Sequence, residues 1–314
     1  MKKISIVIPI YNEQESIPVF WVELNSTLKK SPNYEFEILF IDDGSTDNSF
    51  EEIEKIIKSN SNVKYIQFSR NFGKEAALSA GLHNAIGDCA IMIDVDLQHP
   101  PILILDFIAK WERGAEVVVG VRQSNCESDV IKKAGSWLFY KIMDRIGETK
   151  IAPRATDFRL LDRMVIDEFK KLTENNRITR GLIAWLGFKK EFINFEAPQR
   201  AIGKARYTKA KLFHLAITSF ISQSLFPLKL AGYLGVIIML ISGLFGIHVL
   251  IVQYLLGIHG GLYFSGIAQL AILIIFLVGL ILSCLGLMAL YIANIQQEVM
   301  HRPLYIIRKS INIK

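Results

Sequence analysis

The sequence predicts an α/β domain on a mostly parallel sheet, followed by two membrane-crossing helices. Three observations carry this reading. Short apolar runs alternate with helically spaced apolar patterns over residues 1–120. A polar cluster follows each of the first four runs. No Asp, Glu, Lys or Arg occurs from Leu230 to Gln297.

The apolar runs at Ile4–Ile10, Phe36–Ile41, Val63–Phe68, Cys89–Asp94 and Val117–Gly120 read as strands. Between them, Glu15–Lys29, Asn48–Lys58, Glu75–Ala85 and Ile102–Trp111 carry apolar residues at helical spacing. Strands alternating with helices imply a parallel sheet covered on both faces, with ligands at the carboxyl ends of its strands. Four clusters should meet at that edge: Pro9–Glu13, Asp42–Asp47, Ser69–Lys74 and Asp94–Asp96. Each also has a plainer reading. Asp42–Asp47 makes a good turn and helix N-cap, and Lys74 suits a solvated helix position. Neither a P-loop nor a Gly-x-Gly-x-x-Gly fingerprint is present.

The fourth cluster is the most distinctive. Asp94 and Asp96 stand two residues apart at a strand end, so they project to one face. Paired carboxylates resist joint ionisation unless a cation lies between them. A hard divalent ion takes one or two carboxylates and completes its shell with phosphate oxygens. The stretch therefore reads as a metal–diphosphate platform, while a polar turn closing a strand remains the alternative.

Beyond Gly120 the alternation loosens. Ser128–Ile146 reads as an amphipathic helix carrying Lys132, Lys133 and Ser136. Ala155–Leu161 holds Asp157 between apolar residues, and Asp162–Leu172 and Arg177–Leu186 read as helices. Glu191–Glu196 reads as a strand. Gln199–Lys211 is basic, and residues 211–229 read as interfacial helices.

Composition supports the membrane part. Of 314 residues, 51% are hydrophobic, and mean hydropathy is +0.31, high for a soluble chain. Within 230–297, the spans 230–252 and 268–292 can each cross about 30 Å of hydrocarbon. Basic residues flank the hairpin on both outer sides, from Arg200 to Lys229 and from Arg302 to Lys314, and none lies between the spans. The positive-inside rule places residues 1–210 and the basic tail 298–314 in the cytoplasm. The protein is expected to be multi-pass in the plasma (bacterial inner) membrane. The net charge of +6 is small for a nucleic-acid binder, and its clustering suits an anionic lipid surface. Cys89, Cys126 and Cys284 lack disulfide-like or metal-like spacing, as in a reducing compartment.

Six ordered motifs together carry a resemblance. They are Val7–Glu13, Asp42–Asp47, Arg70–Lys74, Asp94–Gln98, Gly120–Arg122 and Thr156–Arg159. The chain resembles the inverting family-2 glycosyltransferases, specifically the polyprenyl-phosphate branch acting on bactoprenol or dolichyl phosphate. The resemblance covers about residues 4–210, and the paired C-terminal spans match the bactoprenol members. It implies a GT-A fold, Rossmann-like with a mostly parallel sheet. The implied reaction moves a hexose such as glucose from a nucleotide-sugar, a UDP-sugar first, to undecaprenyl or another polyprenyl phosphate. The implied setting is the cytoplasmic membrane face, in cell-envelope glycan synthesis or lipid modification. A homotetramer is implied by relatives that form one.

The same resemblance implies roles for residues. Pro9, Tyr11, Glu13, Asp42, Asp43, Lys74 and Asp94 would bind the nucleotide-sugar. Asp94, Asp96 and Gln98 would hold Mg²⁺ or Mn²⁺, a Lewis acid for the departing diphosphate. Arg122, Lys133, Ser136, Arg200 and Arg206 would contact the acceptor phosphate, with Arg suited to bidentate binding. Asp157 would serve with Asp96 in catalysis, as base or positioning carboxylate. A physical point weighs against the base. A lipid monophosphate has its second pKa near ~6 and is already anionic near neutrality. His99 stands where many relatives have Asp and is not counted as a ligand. Ala205-Arg206-Tyr207 departs from the family's Ser-Lys-aromatic loop.

Two other functions are weighed. A processive polysaccharide synthase would need more spans and a Gln-x-x-Arg-Trp motif, absent here. A catalytically idle membrane assembly or flippase component is disfavoured by the intact Asp94/Asp96 pair.

Overall fold

The computed structural model describes residues 1–123, 155–174, 177–196 and 266–313. The chain divides into two compact units, one of residues 1–208 with 301–314 and one of residues 209–300. Each is described by itself.

The first unit is a sheet of eight strands with helices on both faces. The strands are β1 (Lys2–Ile10), β2 (Tyr34–Asp42), β3 (Val63–Phe68), β4 (Cys89–Met92), β5 (Val117–Arg122), β6 (Ala155–Asp162), β7 (Lys190–Phe195) and β8 (Ile307–Ile311). Their order is β7-β5-β6-β4-β1-β2-β3-β8. The pairs β4-β1, β1-β2, β2-β3 and β5-β7 are parallel, and β6 and β8 run antiparallel to their neighbours. The expected α/β class and mostly parallel sheet are both present.

Strand alternation sorts the core into two layers. Ile4, Ile6, Ile8, Phe40 and Ile91 pack with α1 (Ser16–Leu28), α2 (Ser49–Ser59) and α4 (Ile104–Glu112). Val7, Leu39, Ile41, Ile66 and Met92 pack with α3 (Lys74–Asn84), α5 (Arg163–Lys171) and α6 (Thr179–Trp185). Core runs such as Ile38–Ile41 are apolar at every position because both faces of these central strands are covered.

Two strands were not legible as such. Ala155–Asp162 is a full strand, inserted antiparallel between β4 and β5, with Met92 opposite Arg159. Because β6 runs backwards, its first residues lie at the carboxyl edge of β4. That places Asp157 beside Asp94. The second strand, β8, comes from the segment read as a basic tail. It pairs with β3, and Tyr305 just before it stacks on Phe68 at 4.8 Å. The exposed Arg308 and Lys309 disguise a segment whose Ile311 and Tyr305 pack on the two core layers.

In the second unit the described residues form a single helix, α7 (Gly266–Val299), of 34 residues. Leu270, Leu273, Ile274, Leu277, Ile281, Leu285, Met288 and Ile292 are exposed along it, mostly three or four residues apart. The expected span 268–292 lies inside this helix, and the expected span 230–252 lies outside the described residues. Among the described residues, no helix is long and apolar enough to cross a membrane. The sequence of α7 has no charged residue before Glu298.

Gly44, in the turn after β2, has φ +73°, and a Cβ there would lie 2.5 Å from the Arg70 carbonyl carbon. Gly44→Ala combines left-handed strain with a backbone clash and should cost about 1–3 kcal/mol. Chemical denaturation followed by circular dichroism checks this, with Gly114→Ala, also at positive φ but free of neighbours, as the control.

Candidate active site

The first two polar clusters are joined by backbone hydrogen bonds to side chains. Asn12 N–H donates to Ser45 Oγ at 2.9 Å, Glu13 N–H to Ser49 Oγ at 2.9 Å and Gln14 N–H to Asp47 Oδ2 at 3.2 Å. In return Thr46 N–H donates to Asn12 Oδ1 at 2.8 Å and Asn48 N–H to Gln14 Oε1 at 3.0 Å. Asn12 takes a left-handed φ of 53°, which Asn tolerates better than most residues. Pro9 is buried in β1, and Glu13 accepts from the Ser16 hydroxyl at the start of α1. Tyr11 stands half-buried in the joined loop.

Asp42 and Asp43 are adjacent and so serve opposite sides of the sheet. Asp42 is fully buried and accepts from Ser45 N–H at 2.7 Å, Tyr65 Oη at 2.6 Å and Gln67 Nε2 at 3.2 Å. Burial and then the bond to Asp42 push the Tyr65 phenol far up. Asp42 also borders a cavity of about 470 Å³, lined further by Ser45, Asp47, Phe50, Gln67 and Lys309. Sequence reading missed the β8 contribution there, where Lys309 Nζ lies 3.8 Å over the Phe50 ring. Asp43, read as a donor ligand, is placed as a loop clamp. It accepts from Phe72 N–H at 2.6 Å and Gly73 N–H at 2.9 Å. Burial raises its pKa despite those bonds.

The clamp fixes the start of α3, and with it Lys74. The Lys74 ammonium bridges two carboxylates, 2.6 Å from Asp94 Oδ1 and 3.1 Å from Asp157 Oδ2. Burial alone would lower its pKa, but Asp94 and Asp157 outweigh burial and raise it. Asp157 also takes a forked pair from Arg180 on α6, at 2.5 Å from Nε and 3.1 Å from Nη2. Burial would raise the Asp157 pKa, but Lys74 and Arg180 hold it far below the ordinary carboxylate range. Arg159 lies buried on the same strand, donating from Nε to the Thr156 carbonyl, its pKa lowered by burial to about 10.

Asp96 sits in the turn after β4, where its Oδ1 accepts from Gln98 N–H at 3.1 Å and Leu97 has φ 60°. Gln98 Oε1 accepts from Arg122 Nη2 at 3.3 Å, so the end of β5 touches the same turn. His99 is buried beneath it, stacked on Phe158 at 5.2 Å, and accepts weakly from Asp94 N–H at 3.4 Å. Burial lowers its pKa, so its 3.6 Å approach to Asp94 is a packing contact of a neutral ring and not an ion pair. Lys133, Ser136, Arg200 and Arg206 lie outside the described residues.

The donor set fits a divalent cation of the magnesium kind. Asp94 and Asp96 offer two hard carboxylates at one turn, and Lys74 already meets the demand there for positive charge. Among the described residues there is no group of three or more His, Cys, Asp or Glu side chains that could hold a metal. The fit is therefore to a two-carboxylate site completed by substrate oxygens.

A mostly parallel α/β sheet carries a cation-bridged carboxylate centre at its carboxyl edge, where α/β folds bind their ligands. The glycosyl transferase family 2 model matches residues 5–169, and the chain belongs to that family of glycosyltransferases. It is 38% identical to the SfII prophage-derived bactoprenol glucosyl transferase of Shigella flexneri, over 98% of each chain. It is 37% identical to an uncharacterised glycosyltransferase of Synechocystis, over 97% of this chain and 94% of that one. Among solved structures it is similar to glucosyl-3-phosphoglycerate synthase from Mycobacterium tuberculosis in complex with Mn²⁺, UDP-glucose and phosphoglyceric acid. That likeness has a TM-score of 0.45 and 17% identity, over 69% of this chain and 76% of the other, and fixes no ligand.

A depressed carboxylate pKa contributes stability above its unfolded value, and the contribution is lost only as pH falls through the folded value. Asp157→Asn strands Lys74 and Arg180 and should cost about 3 kcal/mol near neutrality. The gap to wild type should stay constant from pH 5 to 8 and narrow only below about pH 4. Urea unfolding across that range checks it.

Proposed function

We propose that the protein transfers a hexose, glucose first, from a UDP-sugar to a polyprenyl phosphate at the cytoplasmic face of the membrane. One observation carries the chemistry: Lys74 ties Asp94 and Asp157 together at the sheet edge where Gln98 bonds both Asp96 and Arg122. The acceptor class follows from the bactoprenol relatives, which match along nearly the whole chain. The proposed anchoring rests on the sequence: residues 230–297 hold no Asp, Glu, Lys or Arg, and basic residues flank them on both sides.

In the reaction an acceptor phosphate oxygen forms a bond to the anomeric carbon from the face opposite the leaving group. The bond from that carbon to the donor's β-phosphate oxygen breaks, and nucleoside diphosphate leaves with the electron pair. The configuration inverts. Asp94 and Asp96, with Gln98, would hold Mg²⁺ or Mn²⁺, which when bound supplies charge neutralisation to the departing diphosphate. Lys74 adds a fixed cation on the same side, and the joined loops of Tyr11–Gln14 and Asp42–Asp47 cradle the nucleoside. Arg122, with the basic residues Lys133, Arg200 and Arg206 and the hydroxyl of Ser136, would contact the acceptor phosphate. Asp157 is a poor proton acceptor while Lys74 and Arg180 share its charge, and an anionic phosphate nucleophile does not need one.

The test is direct. Full-length protein in detergent is incubated with undecaprenyl phosphate, Mg²⁺ or Mn²⁺, and radiolabelled UDP- and GDP-sugars. Label should move into the organic phase with one sugar preferred. Chelation should abolish it, and Asp96→Asn should lower kcat on the order of 10²- to 10³-fold. Label that stays in water with every donor, or that moves equally well in chelator, would sink the reading.

A further inference from the structure

The tightest contact at the carboxylate centre comes from a helix, not from a strand end. Arg180 directs Nε and Nη2 at the two oxygens of Asp157, and Nη1 lies 3.4 Å from the Ala155 carbonyl. The guanidinium plane thus fixes the carboxylate plane and keeps Asp157 tied to its own strand. α6 has only seven residues, too few to hold its position unaided. Its start is braced from α3: Glu75 accepts from Thr179 N–H at 2.8 Å and from the Thr179 hydroxyl. Glu75 follows Lys74 directly. The first two residues of α3 therefore hold the two ends of one network, Lys74 on the carboxylates and Glu75 on the helix that carries Arg180.

We propose that Arg180 is a positioning residue for sugar transfer, braced by Glu75 and acting through Asp157 on Lys74. The inference rests on the function proposed above. Its physical basis is a competition for one ammonium. Lys74 lies between Asp94 and Asp157, within ion-pair distance of both. With both oxygens engaged by the Arg180 fork, Asp157 draws on Lys74 with one oxygen only, and the ammonium stays against Asp94. Without the fork, Asp157 carries an uncompensated charge and draws Lys74 toward itself, away from the position where a diphosphate would meet it. Displacement of about 1 Å at such a centre costs about 10²-fold in rate.

The test uses full-length enzyme in the lipid-transfer assay, with wild type first. Arg180→Gln should lower kcat about 10²-fold while donor KM changes by less than about threefold. Arg180→Lys keeps a cation without the fork and should recover part of the loss, about tenfold. On an Asp157→Asn background, Arg180→Gln should add less than about twofold, because the charge it restrains is gone. Glu75→Ala should reproduce the kcat defect in weaker form. Melting curves identify any variant that fails to fold, and Arg180→Lys then carries the test. Unchanged kcat in Arg180→Gln, or full additivity with Asp157→Asn, would overturn the proposal and leave the function standing. A wild type that moves no sugar would overturn the function and this inference with it.

Discussion

The centre of this protein depends on one ammonium group held between two carboxylates. Asp94 lies two residues beyond the end of β4 and Asp157 is the third residue of β6, and without Lys74 the two would face each other as like charges at a half-buried sheet edge. Repulsion in such a place is normally relieved by protonating one group. Here Lys74 and Arg180 relieve it by supplying charge, and they hold Asp157 far below the ordinary carboxylate range against its burial. The site is thereby held in the state that a cationic or phosphate-bearing ligand can exchange into, rather than one that must first lose a proton.

That ammonium is placed by the fold through a short chain of backbone contacts. Asp43 gathers the Phe72 and Gly73 N–H groups, and Gly73 is the residue before Lys74. Gly44 lets the preceding turn approach the Arg70 backbone closely, which no side chain at that position would permit. The Asn12–Gln14 and Ser45–Asn48 segments interlock above β1 and β2. The loops at the site therefore behave as one bonded surface. Rigid support of this kind is what positioning chemistry requires.

Much of this was legible in the sequence for a simple reason. In parallel sheets buried on both faces, the apolar runs end abruptly at the ligand edge, so Asp42, Lys74, Asp94 and Asp96 stand out by position as well as by charge. Asp157 was visible as a residue but not as a strand residue, because a β6 inserted antiparallel breaks the alternation of strand and helix. Arg180 was not visible at all. A basic residue at the start of a short amphipathic helix reads as solvated, and only the antiparallel return of β6 turns it toward a carboxylate. β8 was hidden by its own charge, since Arg308 and Lys309 drown the signal of the apolar residues around them. The division of labour between Asp42 and Asp43 also needed coordinates, because adjacent acids at a strand end look equivalent until their sheet faces are known.

The geometry bears on how an inverting transfer runs without a conventional base. A general base works best with a pKa near the working pH, and a carboxylate held by a bidentate guanidinium and an ammonium is far from that. The acceptor proposed for this enzyme makes such a base unnecessary, because a monoester phosphate is deprotonated by solvent near neutral pH. What the reaction then requires is control of two anions, one arriving and one departing, on opposite faces of the sugar. Fixed cations serve that need better than a proton acceptor does. Asp157 fits as the anion that keeps Lys74 in place between turnovers, which accounts for a buried carboxylate whose charge is spent on the protein's own cations. In an enzyme whose acceptor is an alcohol the same carboxylate would have to be released from that pairing before it could accept a proton, so the Arg180 fork is itself an argument for a phosphate nucleophile.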